Sequence, residues 1–155
     1  QDKAQEYIQE LSRVLRYTLQ GNDSKSVTLR DEMEFVSAYI FLLKMRFEDN
    51  LSFDIRIDKQ YDDHRLPPMA VQMLIENAVK HNEISDRRPL SIRVYTEGEE
   101  LVVTNPVQPK LTATAGTGVG LANLAKRYHL LYKCEIQITE NKYFTVRIPL
   151  IPNAL

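Results

Sequence analysis

The 155 residues contain one cysteine, Cys134, so no internal disulfide can form, as is usual in a reducing compartment. It falls near an expected strand start and reads as a buried, inert thiol. No stretch approaches the ~18 continuous apolar residues that cross a bilayer, and no secretory leader is visible. The first residue is Gln rather than Met, which leads us to expect an excised fragment. Neither sign of charge dominates. With a net charge of −1 and a pI near 6.4, no basic surface announces nucleic acid or an anionic membrane. Internal repeats and low-complexity tracts are lacking as well. What is present is a 43% apolar chain, enough for one hydrophobic core, of a length that suits one domain with a helical appendage.

Periodicity supplies the elements. Tyr7, Ile8, Leu11, Val14, Leu15, Thr18 and Leu19 recur on one side of a helix over residues 2–20, which should stop at Gly21-Asn22. That seam suits either packing within the chain or pairing with another helix. Residues 21–26 are a polar loop. Thr28-x-x-Asp31 then resembles a capping box opening a second helix to about Phe47, with Met33, Val36, Tyr39, Ile40 and Leu43 turned inward. Alternation over residues 51–57 predicts a half-buried strand, and residues 58–65 a charged loop. Leu90, Ile92 and Val94 form a hairpin with Leu101-Val102-Val103 across Glu97-Gly98-Glu99. Residues 105–117 have little periodicity and read as a long loop of the kind that often covers a binding site. Residues 119–132 are helical, with Leu121, Leu124, Leu130 and Leu131 as the apolar positions. A last hairpin joins residues 135–139 to 143–149. Hairpin-linked strands with helices to one side imply an α+β two-layer sandwich rather than a doubly wound parallel sheet.

The chain centres on Leu66-Pro67-Pro68-Met69-Ala70-Val71-Gln72-Met73-Leu74-Ile75-Glu76-Asn77-Ala78-Val79-Lys80-His81-Asn82. The Pro pair can begin a helix but not sit inside one, so the helix should start near Met69. Val71, Leu74, Ile75 and Ala78 make its apolar face. Gln72, Glu76 and Lys80 form one i,i+4 row, and Met73, Asn77 and His81 the next, gathering an acid, an amide, an amine and an imidazole in one area. The plain reading of these rows is a solvated face with a Glu76–Lys80 ion pair. A second motif, Gly116-Thr117-Gly118-Val119-Gly120-Leu121-Ala122-Asn123-Leu124, argues for more. Its glycines let backbone N–H groups approach phosphate oxygens, and a helix starting near Val119 adds its positive end. The spacing fits neither a dinucleotide fingerprint nor a Walker A loop.

Together, Glu76-Asn77-Ala78-x-Lys80-His81 and Gly118-Val119-Gly120-Leu121-Ala122-Asn123, followed by Arg127 and Leu131-Tyr132, resemble the N-box and G-box of the histidine-kinase-like ATPases (the Bergerat fold). The match is close to LytS-type sensor histidine kinases, and it extends upstream through Leu11-Ser12-x-x-Leu15-Arg16-Tyr17 and Leu29-x-Asp31-Glu32 … Tyr39 … Arg46-Phe47. The resemblance implies a mixed, hairpin-rich sheet and an ATP-binding domain over residues 25–155. Residues 1–24 would be the last helix of the dimerisation and phosphoacceptor region. It implies ATP and Mg²⁺ as ligands. Asn77 would hold the metal, with Glu76 on a metal-bound water or polarising the attacking group. Lys80, His81, Gly116, Gly118, Gly120, Leu121 and Asn123 would surround the nucleotide. Where the superfamily has an Asp-x-Gly-x-Gly box, this chain reads Val103-Thr104-Asn105-Pro106-Val107. Asn105 can still accept from the adenine amino group, without a charge and without the box glycines. Met73 stands where many members carry Glu or Asn.

The phosphoacceptor His of the family lies in a Pro-His-Phe motif, and His64, His81 and His129 lack that context; His64 and His129 read as surface residues. The fragment is therefore expected to bind ATP but not to phosphorylate itself. In the whole protein the phosphoryl group would pass to a His and then to an Asp of a response regulator receiver domain of the LytTR type. That protein would be a homodimer through the N-terminal helical region, with its catalytic part cytoplasmic and its membrane anchor in segments outside this chain. Two other readings compete: a degenerate ATPase-fold module acting as a scaffold, favoured by Asn105 and the lost glycines, and a serine kinase of the anti-sigma type. The upstream Leu-Arg-Tyr helix and the Glu-Asn-Ala-x-Lys-His form argue against the latter.

Overall fold

A computed structural model describes residues 2–21, 25–111 and 119–153, with the side chains of the first helix described as far as Tyr17. Four helices and seven strands follow in order: α1 Asp2–Gly21, β1 Val27–Thr28, α2 Leu29–Phe47, β2 Leu51–Arg56, β3 Arg65–Leu66, α3 Ala70–His81, β4 Leu90–Glu97, β5 Glu100–Pro106, α4 Val119–Tyr132, β6 Gln137–Glu140 and β7 Tyr143–Pro149. The main sheet runs β2-β4-β5-β7-β6, and β1 pairs with β3 in a separate two-stranded ribbon. Among the described residues β2 and β4 pair in parallel and the other strand pairs are antiparallel. A parallel pair needs a crossover, and here the crossover carries α3. The mixed, hairpin-rich sheet under helices is the α+β two-layer arrangement expected.

Alternation sorts the two faces of the sheet. Leu90, Ile92 and Val94 are buried while Ser91 and Arg93 between them are exposed. The buried side of the sheet, with Leu51, Leu101, Val103, Val146 and Ile148, shares one core with Val36 of α2, Val71, Leu74 and Ile75 of α3, and Leu124 and Tyr128 of α4. Each fully buried aliphatic side chain contributes about 1.5–3 kcal/mol. Thr28 caps α2 as its spacing suggests, its Oγ1 accepting from the Asp31 amide at 3.2 Å.

Several expectations need correction. Residues 58–65 are not plain loop: Asp58 caps a 3-10 turn at Lys59–Tyr61, and Arg65–Leu66 pairs with Val27–Thr28. Two-residue strands leave no alternation to read. The expected loop over residues 105–117 begins as strand, since β5 continues to Pro106, and residues 112–118 lie outside the described residues. In α4 the buried positions are Leu124 and Tyr128, whereas Leu130 and Leu131 are 58% and 41% exposed. The Tyr128 hydroxyl is accommodated by donating to the Pro149 carbonyl at 2.8 Å. In α1 the packed residues are Val14 and Tyr17, while Tyr7, Ile8, Leu11 and Leu15 stay exposed. Met33, Tyr39, Ile40 and Leu43 are half-buried, and the deepest α2 positions are Leu29, Glu32, Phe35, Val36 and Ala38. A carboxylate in that set is the largest departure from what periodicity suggests.

Candidate functional site

The site is built on α3, and α3 starts in an unusual way. Pro67 and Pro68 are buried, and Met69, the residue before the helix, is left-handed at φ 66°, ψ 12° with no side-chain cap of its own. A non-glycine residue there is strained by about 1–2 kcal/mol. The cap comes from another helix. Glu32 of α2, 0% exposed, accepts from the Met69 amide on Oε1 and from the Val71 amide on Oε2, both at 3.0 Å. A carboxylate at a helix N-terminus satisfies unpaired N–H groups and suits the dipole. The Tyr17 hydroxyl of α1 donates to the same Oε1 at 2.6 Å, with its ring stacked on Phe35 at 4.1 Å between centroids. Burial pushes the Glu32 carboxyl above its ordinary range, and the bonds from Tyr17, Met69 and Val71 oppose that rise. Arg127 of α4 steadies the same turn by donating to the Pro68 carbonyl at 3.3 Å.

The last two turns of α3 then divide their polar residues between two hollows. Asn77, Ala78, His81 and Asn82 line a cleft of about 380 Å³ whose other walls are Leu121 of α4, Val107 and Pro109 after β5, and Glu140 and Phe144 of the last hairpin. Glu76 and Lys80 instead line a groove of about 460 Å³ between α2 and α3, with Tyr39, Arg46, Phe47 and Lys110. No Glu76–Lys80 ion pair forms; Glu76 Oε2 accepts from Gln72 Nε2 at 2.8 Å. Tyr39 is half-buried beside them, and its hydroxyl is pushed up to about 12 by burial first and by the Glu76 charge second. It is thus a lasting hydrogen-bond donor at neutral pH.

The rim of the cleft is held by a polar clasp. Asn82 Nδ2 donates back to the Ala78 carbonyl at 2.8 Å, closing the end of α3, and its Oδ1 accepts from the Gln108 amide at 2.8 Å. The Gln108 side chain, buried, donates to the Glu83 and Arg88 carbonyls at 2.8 and 3.0 Å, and the Glu83 amide donates to the Gln108 carbonyl at 2.7 Å. The segment after β5 is thereby fixed against the C-terminal end of α3. Neither Asn82 nor Gln108 was singled out by pattern. A polar residue after a helix hints at a cap, but nothing local marks Gln108.

Of the expected site residues, the structure brings Asn77, His81 and Leu121 together in the cleft. Glu76 and Lys80 stand in the neighbouring groove. Gly120 and Asn123 are exposed on the first turns of α4, where a Cβ on Gly120 would meet Met73 Sδ at 3.5 Å, an ordinary contact that shows how near α4 starts to α3. Asn105 is buried at 2% exposure beneath the cleft rather than lining it; its Nδ2 donates to the Pro106 carbonyl at 2.7 Å, and its partner across the sheet, Phe144, is a cleft residue. Gly116 and Gly118 lie outside the described residues. Among the described residues no three His, Cys, Asp or Glu side chains gather as a metal cluster. His129 is exposed and pairs with Glu135 at 2.7 Å, whereas His64 is half-buried with its ring edge on Tyr61 at 5.0 Å. Cys134 is only half-buried, and burial followed by the Glu135 charge pushes its thiol up, away from the thiolate that reactivity needs.

A histidine kinase family model matches residues 1–51. The sensor protein LytS of Streptococcus agalactiae serotype V is 32% identical over 149 residues, covering 84% of this chain and 25% of the relative. The sensor histidine kinase BtsS of Escherichia coli K12 is 30% identical over 159 residues, 96% of this chain and 28% of the relative. The chain thus spans about a quarter of the length of these curated relatives. Among solved structures, the catalytic domain of histidine kinase ThkA aligns with a TM-score of 0.54 at 19% identity, covering 81% of this chain and 95% of that one. The cytoplasmic segment of histidine kinase QseC gives 0.57 at 10% identity, covering 81% and 76%. These likenesses give the fold of the α3–α4 cleft. With the identity to LytS and BtsS running across most of its length, the chain belongs to the family of LytS-type sensor histidine kinases.

Proposed function

We propose that this chain is the ATP-binding catalytic part of a two-component sensor histidine kinase, with Mg²⁺-ATP in the α3–α4 cleft. The observation that carries the reading is the meeting of Asn77 and His81 with Leu121 and Phe144 across one hollow. The donor set fits. Mg²⁺ takes oxygen ligands, keeps several waters and shares phosphate oxygens, so one amide oxygen on the wall suffices, and a preformed acidic cluster is not needed. Val107, Leu121 and Phe144 offer apolar and aromatic surface to a flat base. Asn105, the amide acceptor that family resemblance implies, is buried outside the cleft lining and would have to be uncovered to reach the base. The start of α4, with Gly120 and Asn123, would receive phosphate at its positive end, and Gly116 and Gly118 precede it in the same motif.

ATP would supply the transferable γ-phosphoryl group and the metal would neutralise charge on it; the chain's own task is positioning. Asn77 would hold the metal. His81 would fix the phosphates, and Lys80 would lend charge from the adjoining groove. Glu76, one residue from Asn77 yet facing that groove, would polarise a His imidazole presented there by a segment outside this chain. The phosphoryl group would pass on to a response regulator receiver domain, of the LytTR type by family resemblance. Ile8 and Leu15, exposed on α1, support homodimerisation through that helix, and the closure of β1 on β3 from Val27 supports a boundary between residues 24 and 25. No helix among the described residues is long and apolar enough to cross a membrane. We assign the chain to the cytoplasmic side of a protein anchored elsewhere. The scaffold reading has no support among the relatives, which are sensor kinases.

A thermal-shift titration with ATP, run with Mg²⁺ and with a chelator, tests this. Ligand at ~100 times its Kd stabilises by about 2.7 kcal/mol, or roughly 5–10 °C for a domain of this size. A metal-dependent rise is expected; no rise at millimolar ATP would overturn the reading.

A further inference from the structure

The capping carboxylate of α3 is not local to α3, and that has consequences for how the cleft is controlled. Glu32 belongs to α2, and the oxygen that accepts from the Met69 amide also accepts from Tyr17 on α1. Three helices therefore meet at one carboxylate that is fully buried. Met69 holds a left-handed conformation that its own side chain does not favour, so the turn before α3 depends on this acceptor. α3 is a rigid rod: Asn77 lies eight residues from Met69, about 12 Å along the axis. Any slide or rotation of its first turn is delivered to Asn77 and His81. The segment that follows the same end of α1 is tied in as well. After α1, the Lys25 carbonyl accepts from the Tyr132 hydroxyl of α4 at 3.2 Å, and Arg65 donates to Ser26 Oγ at 2.7 Å.

We propose that Tyr17 and Glu32 are positioning residues that couple the docking of α1 to the placement of the nucleotide-binding end of α3. With Tyr17 donating, Oε1 is held between two donors and the first turn of α3 is fixed. With α1 undocked, Glu32 loses the Tyr17 donor and gains freedom to reorient, so α3 loosens at its start. A rearrangement of the dimerisation helix is thereby read at Asn77 without any residue of α1 touching the cleft. By reciprocity, a ligand that favours the docked α3 also favours docked α1. The inference rests on the cleft being the ATP site only for its functional meaning; the coupling itself is a property of the protein without ligand.

The experiment is Tyr17→Phe in the 155-residue chain, which keeps the ring on Phe35 and removes one hydroxyl. Two readouts are taken: Mg²⁺-ATP affinity by calorimetry, and amide chemical shifts without nucleotide. Expected are an affinity weakened about fivefold, the low end of allosteric couplings, and shift changes running along α3 to Asn77 and His81. Neither would move if the hydroxyl contributed only to global stability, because the protein stays folded at the assay temperature. Shift changes confined to Met69–Val71, or a Tyr17→Phe chain that cannot fold, would overturn the coupling. If the unmodified chain binds no ATP, the functional reading fails, while the nucleotide-free shifts still decide this one.

Discussion

Glu76 and Asn77 are consecutive on α3 and yet face different cavities: Asn77 lines the cleft against α4, and Glu76 the groove against α2. Successive helical residues point about 100° apart, which is enough to put the two on opposite flanks of the same helix. The proposed metal ligand and the proposed polarising group are thus separable by substitution. Asn77→Ala should weaken Mg²⁺-ATP by about 1.4 kcal/mol or more, a factor of ten, by calorimetry. Glu76→Gln should leave that affinity within about threefold, because its carboxylate is exposed and, among the described residues, bonded to Gln72. In a longer protein carrying the phosphoacceptor, the same change should slow transfer by about 10²–10⁴. Equal loss of binding in both variants would contradict the division.

Removing the cap of α3 should be costly. Glu32→Ala leaves the Met69 and Val71 amides buried without an acceptor, each costing about 1–3 kcal/mol. Urea unfolding should show a lower midpoint at unchanged slope.

Stability at Glu32 also depends on pH, and the direction follows from its surroundings. Burial raises its folded pKa above the unfolded value, so the native state holds the proton over a wider range. That contribution is fully present below the ordinary glutamate range and is lost as pH rises through the raised value. The stability difference between the unmodified chain and Glu32→Gln should therefore shrink or reverse as pH rises through that window. A difference that grows with pH would contradict the assignment.

The clasp at the cleft rim gives a more local test. Gln108→Ala removes the donor to the Glu83 and Arg88 carbonyls while leaving the Asn82–Gln108 backbone contact in place. Loss of about 1–2 kcal/mol is expected, with hydrogen exchange of the Gln108 amide rising about tenfold. Exchange there unchanged would mean the rim is held by something other than this side chain.

Much of this was legible in the sequence, for identifiable reasons. The helix over Ala70–His81 announces itself through a Pro pair, an apolar face and two polar rows, all of which are local signals. Hairpins are equally local: Leu90–Glu97 turns into Glu100–Pro106 at Gly98, whose φ of +60° suits glycine. The cleft was half legible. Asn77, His81 and Leu121 lie in motifs, but Val107, Pro109 and Phe144 reach the cleft only through the order of strands in the sheet. Glu32 was invisible as a buried group, because a charged residue in the first turn of a helix is normally solvated and dipole-stabilised. Its partners, Tyr17, Met69 and Val71, are separated from it by 15, 37 and 39 residues. The apolar seam of α1 left two readings open for a related reason. Periodicity marks an amphipathic face but does not say whether this chain or another covers it.

The most direct test of the account is to map where the nucleotide binds, by titrating a non-hydrolysable ATP analogue with Mg²⁺ and following backbone amide shifts. The account predicts the largest changes at Asn77, His81, Asn82, Val107, Leu121 and Phe144, with the sheet edge around Arg56, Asp58 and Thr96 unmoved. Saturating changes at that edge instead, or none at Asn77 and Leu121, would contradict it.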